Sequence, residues 1–322
     1  MKTGLFLLFI LLATSSFAGQ RQPHVVILGI GKSATGLPQV RGLYDGLEEA
    51  GYLNGKNVNI ENVRSEQADQ LRDRLPGVVR KTPDVIVATS ANEAAIAKQI
   101  TSKTPIVFVP GIDPVGMGFV KSRARPGGNL TGLSFTRDVE DNGKQLAVFK
   151  QIAPALRKVM MFYDGQPATR TSSAILASVN RVAQNLKIQL GQNPAASAVD
   201  AAQILHSMPA KAVDAVFLIC SATFRGMTPL ATRAAEKAVP LFGCTTTQVA
   251  EEGALMTYTP DIYYIGYRGA WYVDRILKGS RPEELPVETP TKFELVINLK
   301  VSRRIGLTIP PEILILADKV FQ

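Results

Sequence analysis

The stretch HVVILGIGKSATG, residues 24–36, holds the residue types that first suggest chemistry. An apolar run ends in glycines and then in Gly31-Lys32-Ser33, the closing letters of a phosphate-cradling loop. The GxxxxGK pattern needs an earlier glycine, so that successive backbone N–H groups bend onto the phosphates. That position is Val26, in mid-strand. A dinucleotide fingerprint fits better at first, since Gly29 and Gly31 are correctly spaced and Ala34 is a tolerated third member. It lacks its ribose clamp, because the second strand ends Val63-Arg64-Ser65 with no acidic residue. His24 and His206 are the two histidines, one at a strand start and one in a helical segment, so neither a serine triad nor a histidine metal site has its parts. The sequence therefore assigns no catalytic residue, no metal ligand and no cofactor, and the reading is of a protein that is not an enzyme.

What these residues do offer is position. In an open parallel sheet, ligands sit beyond the carboxyl ends of the strands, where the strand order reverses. Lys32 and Ser33 flank that crevice on one side, and Thr89, Ser90 and Asn92 on the other. The second group opens a helix, whose free N–H groups favour an anionic or acceptor group.

The elements that position them alternate strand-length apolar runs with helix-period segments, the pattern of parallel sheets covered by helices on both faces. Strands are read at 24–31, 58–65, 84–90, 105–112, 129–135, 158–165, 188–193, 215–221, 239–245 and 254–259, two sets of five. The turn-rich stretch 125–129 reads as a lobe junction. Asp261 caps a helix running to about Lys278, on which Tyr264, Tyr267 and Trp271 share one face that core packing explains, while Tyr263 or Tyr264 is near enough to its start to reach a ligand. The tail adds the strand-like KFELVIN and two short helices, the second opened by Pro310-Pro311.

Lys2, the apolar stretch 5–12 and Ser16-Phe17-Ala18 form an export signal cleaved after Ala18, with no lipid-bearing cysteine. The core is too short to span a bilayer, so no stable membrane insertion is expected. The remainder reads as two lobes of about 150 residues each. Net charge is +9, its basic residues scattered rather than striped with aromatics, which argues against nucleic-acid binding. Cys220 and Cys244 end two apolar strands; two buried free thiols are favoured, while neighbouring strands would permit a disulfide.

Several motifs then accumulate: LEEAGY at 47–52, DVIVA at 84–88, PIVF at 105–108, DPVG at 113–116, ARPGGNLTG at 124–132, RILKG at 275–279, PTKFELVIN at 290–298 and GLTIPP at 306–311. In this order and spacing the chain resembles the periplasmic substrate-binding proteins of ABC transporters, the family that includes tryptophan- and tyrosine-type uptake components. The resemblance implies an α/β type I periplasmic binding protein fold, two doubly wound, Rossmann-like lobes joined by a hinge. On that analogy, 22–133 with 261–285 form the first lobe and 134–260 with 286–322 the second. It also implies a small-molecule ligand, ABC permease subunits as partners, and a periplasmic monomer; a sensory module feeding a chemoreceptor or signalling kinase is the alternative.

Amino-acid-binding members tend to carry an Asp-Asn pair after the eighth strand and an acidic residue after the ninth. Here those places hold Ser221 and Thr223, and Thr245 and Thr246. A desolvated ammonium normally needs an anionic acceptor. The expectation is thus a neutral or acidic ligand rather than a zwitterionic amino acid, met by Lys32 and the hydroxyls of Ser90, Ser221, Thr223, Thr245 and Thr246. Gly111 and Asp113 at the end of the fourth strand complete the candidate set with Asp164 at the end of the sixth, Asp113 as a helix cap and Asp164 as a group able to serve a cation.

Overall fold

The computed structural model describes residues 21–31, 37–165 and 171–322; the stretch read from sequence as an export signal lies outside them. In the first lobe, β1 (His24–Ile30) leads through α1 (Pro38–Glu49), β2 (Asn59–Ser65), α2 (Ala68–Val79), β3 (Val85–Ala88), α3 (Ala91–Ile100) and β4 (Ile106–Gly111) to β5 (Leu130–Ser134). The five strands make one parallel sheet ordered β2-β1-β3-β4-β5. β3 is buried throughout, and β1 and β4 nearly so, as expected of strands covered on both faces. β2, NIENVRS, alternates buried and solvated positions and takes the edge, where its charges discourage further pairing. The order reverses between β1 and β3.

The chain leaves this sheet after β5. It continues through α4 (Glu140–Ile152), β6 (Lys158–Asp164), α5 (Ser173–Asn185), β7 (Gln189–Ala195), α6 (Ala198–Ser207), β8 (Ala215–Leu218), α7 (Thr228–Glu236), α8 (Thr246–Ala250) and β9 (Met256–Pro260). Next come α9 (Ile262–Leu277), β10 (Phe293–Asn298), α10 (Leu299–Arg304), α11 (Pro311–Leu316) and β11 (Lys319–Phe321). Two three-stranded groups, β7-β6-β8 and β9-β10-β11, are joined through Leu241 and Phe242. β10 runs antiparallel to β9 because the chain returns to this lobe from the far side of α9.

α9 belongs to the first lobe. Glycines set how closely it packs on α1: a β-carbon on Gly266 would sit 1.9 Å from the Gln39 carbonyl oxygen, and one on Gly42 2.1 Å from that of Tyr263. Tyr263 and Tyr267 donate to Asp45 at 2.6 Å and Glu49 at 2.5 Å, and Tyr52 to Asp274 at 3.0 Å, so hydroxyl–carboxylate bonds fasten the two helices. One apolar cluster covers the α1 and α9 side of the first sheet and continues through the second lobe, and another lies under α2 and α3.

Four expectations need correction. The stretch 239–245 is not a full strand: Val216 N–H donates to the Pro240 carbonyl and Phe242 N–H to that of Val216, but only Leu241 and Phe242 bridge. Pro240 has no N–H to extend the ladder. The turn at 125–129 is no lobe junction, since it feeds β5 of the first sheet. The aromatic face of α9 points outward: Tyr264 is 56% exposed and stacks on Tyr267, while Ile265, Gly269, Tyr272 and Val273 face the core. Cys220 and Cys244 are not free thiols but a disulfide, with Cα atoms 5.3 Å apart. Packing of 241–242 beside β8 carries Cys244, two residues on, to within bridging distance.

Candidate functional site

A cavity of about 570 Å³ lies between the lobes, at the carboxyl ends of the strands. Both sheets reach it at their reversal points, through Ile30 and Thr89 in the first lobe and Asp164 and Ile219 in the second. Each strand hands over to a capped turn or helix there. Ser90 caps α3, accepting from Asn92 N–H at 3.2 Å, and Ser221 accepts from Thr223 N–H at 3.2 Å. Thr245 caps α8, accepting from Gln248 N–H at 3.2 Å. Ser172 caps α5.

Of the residues singled out from sequence, the structure brings Thr89, Ser90, Asn92, Asp113, Asp164, Ser221 and Thr245 to the cavity wall. Asp113 caps a turn, not a helix: it adopts a φ of 41° and its carboxylate accepts from Gly116 N–H at 3.1 Å. Gly111, Thr223 and Thr246 are not on that wall. A β-carbon on Gly111 would meet the Phe108 ring at 2.6 Å, so its smallness serves packing. Thr223 donates to Asp164 at 2.8 Å from behind the wall. Thr246 is the first helical residue of α8. Lys32 and Ser33 lie outside the described residues. Tyr263 and Tyr264 do not line the cavity; Ile262 does.

Sequence reasoning named Asp113 and Asp164 but missed Arg225, Glu93, Glu251 and Glu252. Arg225 reaches across from the second lobe, its Nη1 donating to the Ile30 carbonyl at 3.2 Å and its Nη2 to the Thr89 carbonyl at 3.1 Å. Nη1 also pairs with Glu93 at 3.4 Å, a carboxylate with no exposed surface. Glu93 is the third helical residue after Ser90, the capping-box spacing, and this signal was available in the sequence. Arg225 follows the eighth strand by only a few residues, yet the loop attracted notice for its hydroxyls alone.

Glu251 and Glu252, just past α8, bring two more carboxylates. Burial pushes the Glu252 carboxyl above its ordinary 4.5; the Met227 N–H, 2.5 Å away, opposes this and neighbouring Glu251 adds to it. The rest of the wall is largely apolar, with Ile30, Leu37, Ile112, Phe135, Ile175 and Ile219 among its members. Chemically, this is an enclosure for a small molecule with an apolar body, with polar groups at strand ends to fix its orientation.

Comparisons with known proteins agree with this geometry. The model of the family described as ABC transporter substrate binding protein matches residues 29–321. A curated relative, a tyrosine-binding protein of Clostridioides difficile strain R20291, is 25% identical over 260 residues, 80% of this chain and 73% of that one. A conserved domain protein of Vibrio cholerae superposes with a TM-score of 0.85 at 27% identity, covering 93% of this chain and all of the other. An ABC domain from Streptococcus pneumonia in complex with L-Trp also reaches 0.85, at 22% identity, covering 94% of this chain and 100% of that one. A ligand-free, open substrate-binding protein with adhesive properties from Clostridium difficile reaches 0.65 at 20% identity, covering 93% and 99%. The two doubly wound lobes have the type I periplasmic binding protein fold, and the chain belongs to the ABC transporter substrate-binding protein family.

Proposed function

We propose that this chain is the periplasmic solute-binding component of an ABC importer, exported, cleaved after Ala18 and acting as a monomer. The observation that carries the reading is a cavity walled by the strand ends of both lobes, so that one small molecule touches both at once. The lobes are 22–133 with 261–285, and 134–260 with 286–322. Among the described residues no helix is long and apolar enough to cross a membrane. A ligand that touches both lobes binds the closed state better and biases the hinge toward it, and permease subunits in the inner membrane read that state.

For the ligand, the hydroxyls of Ser221 and Thr245 and the N-terminus of α3 support a neutral or acidic small molecule over a zwitterionic amino acid. Arg225 is the one cation on the wall among the described residues. A second reading, an aromatic amino acid, is favoured by Asp164 and Glu252 beside apolar walls and by the tyrosine and L-Trp in the relatives' names. Calorimetry of refolded protein with L-tryptophan and L-tyrosine, and with the same molecules lacking the amino group, separates the two. The first reading expects the des-amino acids to bind at least as tightly. Tight binding of the free amino acids alone overturns it in favour of the second.

Transport is separated from sensing by deleting the gene. Loss of uptake of the bound solute supports the importer. Normal uptake with lost chemotaxis or kinase signalling toward that solute supports the sensory alternative.

A further inference from the structure

We propose that Arg225 is an interlobe latch, a positioning residue that holds part of the closed population through bonds made between the lobes themselves. The inference rests on the two-lobed receptor reading and deepens it. Arg225 stands in the second lobe, directly after the turn at Ala222–Phe224, yet its guanidinium bonds to the first. The acceptors are the carbonyls of Ile30 and Thr89, at the ends of β1 and β3, and the carboxylate of Glu93 in the first turn of α3.

Glu93 explains why the contact matters. It is fully buried, and besides Arg225 it accepts from Ile30 N–H at 2.9 Å and from the Ser90 hydroxyl. A buried carboxylate is stable when a cation and hydrogen bonds both meet it. Its cation comes from the opposite lobe. Parting the lobes strips Glu93 of that charge and takes the Arg225 donors from both strand-end carbonyls, of which Thr89 keeps another, Gln39 Nε2 at 3.1 Å.

The latch also needs a stiff mount, because a loose loop would follow Glu93 and hold nothing closed. Residues 220–227 are tied down at four points: the disulfide to Cys244, Thr223 to Asp164 at 2.8 Å, the Gln248 amide to the Phe224 carbonyl at 2.9 Å, and Met227 N–H to Glu252 at 2.5 Å. Opening the cleft therefore breaks the Arg225 bonds rather than dragging the loop across. The planar fork of arginine suits two carbonyls and a carboxylate together, whereas a lysine ammonium is a compact point charge.

The test is small-angle X-ray scattering on the ligand-free mature protein and on Arg225→Met, Arg225→Lys and Glu93→Gln, with circular dichroism to establish folding. Hydrogen bonds to charged groups carry enough free energy that losing them shifts such an equilibrium about tenfold or more. Arg225→Met should thus move the open-to-closed ratio toward open by at least about tenfold, with Arg225→Lys between it and wild type and Glu93→Gln shifted the same way. If Glu93→Gln does not fold, the two Arg225 variants decide alone. A folded Arg225→Met protein with the wild-type scattering profile overturns the proposal, as does a wild-type profile that already matches the open form. Neither outcome touches the receptor reading, which fails separately if no ligand registers in calorimetry.

Discussion

Breaking the Cys220–Cys244 bond should loosen the second lobe by about 3.5 kcal/mol. The two residues are 24 apart in sequence, and cross-linking a loop of that length removes about 12 cal/mol/K of entropy from the unfolded chain, which gives that figure at 25 °C. The folded side of the balance changes little, because the Cα separation of 5.3 Å lies within the ordinary disulfide span and both cysteines are about 5% exposed. The assay is urea unfolding of the oxidised and reduced wild type followed by far-ultraviolet circular dichroism. With a urea slope of about 1 to 3 kcal/mol/M, the reduced midpoint should fall by about 1.2 to 3.5 M. Cys220→Ala with Cys244→Ala should be at least as destabilised, since it also removes two sulfur atoms from the core. Superimposable curves for oxidised and reduced protein, or two thiols titrating in the denatured, unreduced protein, would refute the reasoning.

Two further expectations follow from packing and charge. Gly266→Ala puts a methyl 1.9 Å from the Gln39 carbonyl oxygen, so α1 and α9 must separate at a cost of about 1 to 3 kcal/mol, visible as a lowered melting temperature. Gly128→Ala, where nothing lies within 4 Å, is the control and should leave the melt unchanged or slightly raised. For Glu252, burial raises the folded carboxyl above 4.5, so its contribution to stability is present below that pH and lost as pH rises through the folded value. Glu252→Gln keeps an acceptor for Met227 N–H and should stabilise the protein at pH 7, with the gain vanishing below pH 4.5. Urea midpoints at both pH values check this, and an equal gain at each would count against it.

Much of the scaffold was legible. Apolar runs such as VVIL and VIVA mark strands covered on both faces, and the caps Ser90 and Asp261 sit where their helices begin, whereas Thr245, read as a strand end, caps α8. The site was legible only in outline. Strand ends and caps pointed to Thr89, Ser221 and Thr245, but Thr223 was expected in the cavity and instead supports Asp164 from behind. Helical spacing grouped Tyr264, Tyr267 and Trp271 on one face without saying which face was inward, and α1 docks on another one through Gly266.

The family's alternating pattern of strands and helices and the caps Ser90 and Asp261 were determined by the sequence alone, because each depends on neighbours along the chain. Tertiary structure alone decided the Cys220–Cys244 pairing, the outward face of α9, and the meeting of Arg225 with Glu93, 132 residues apart. Each of these depends on how two remote segments pack, and local periodicity carries no record of which surfaces meet.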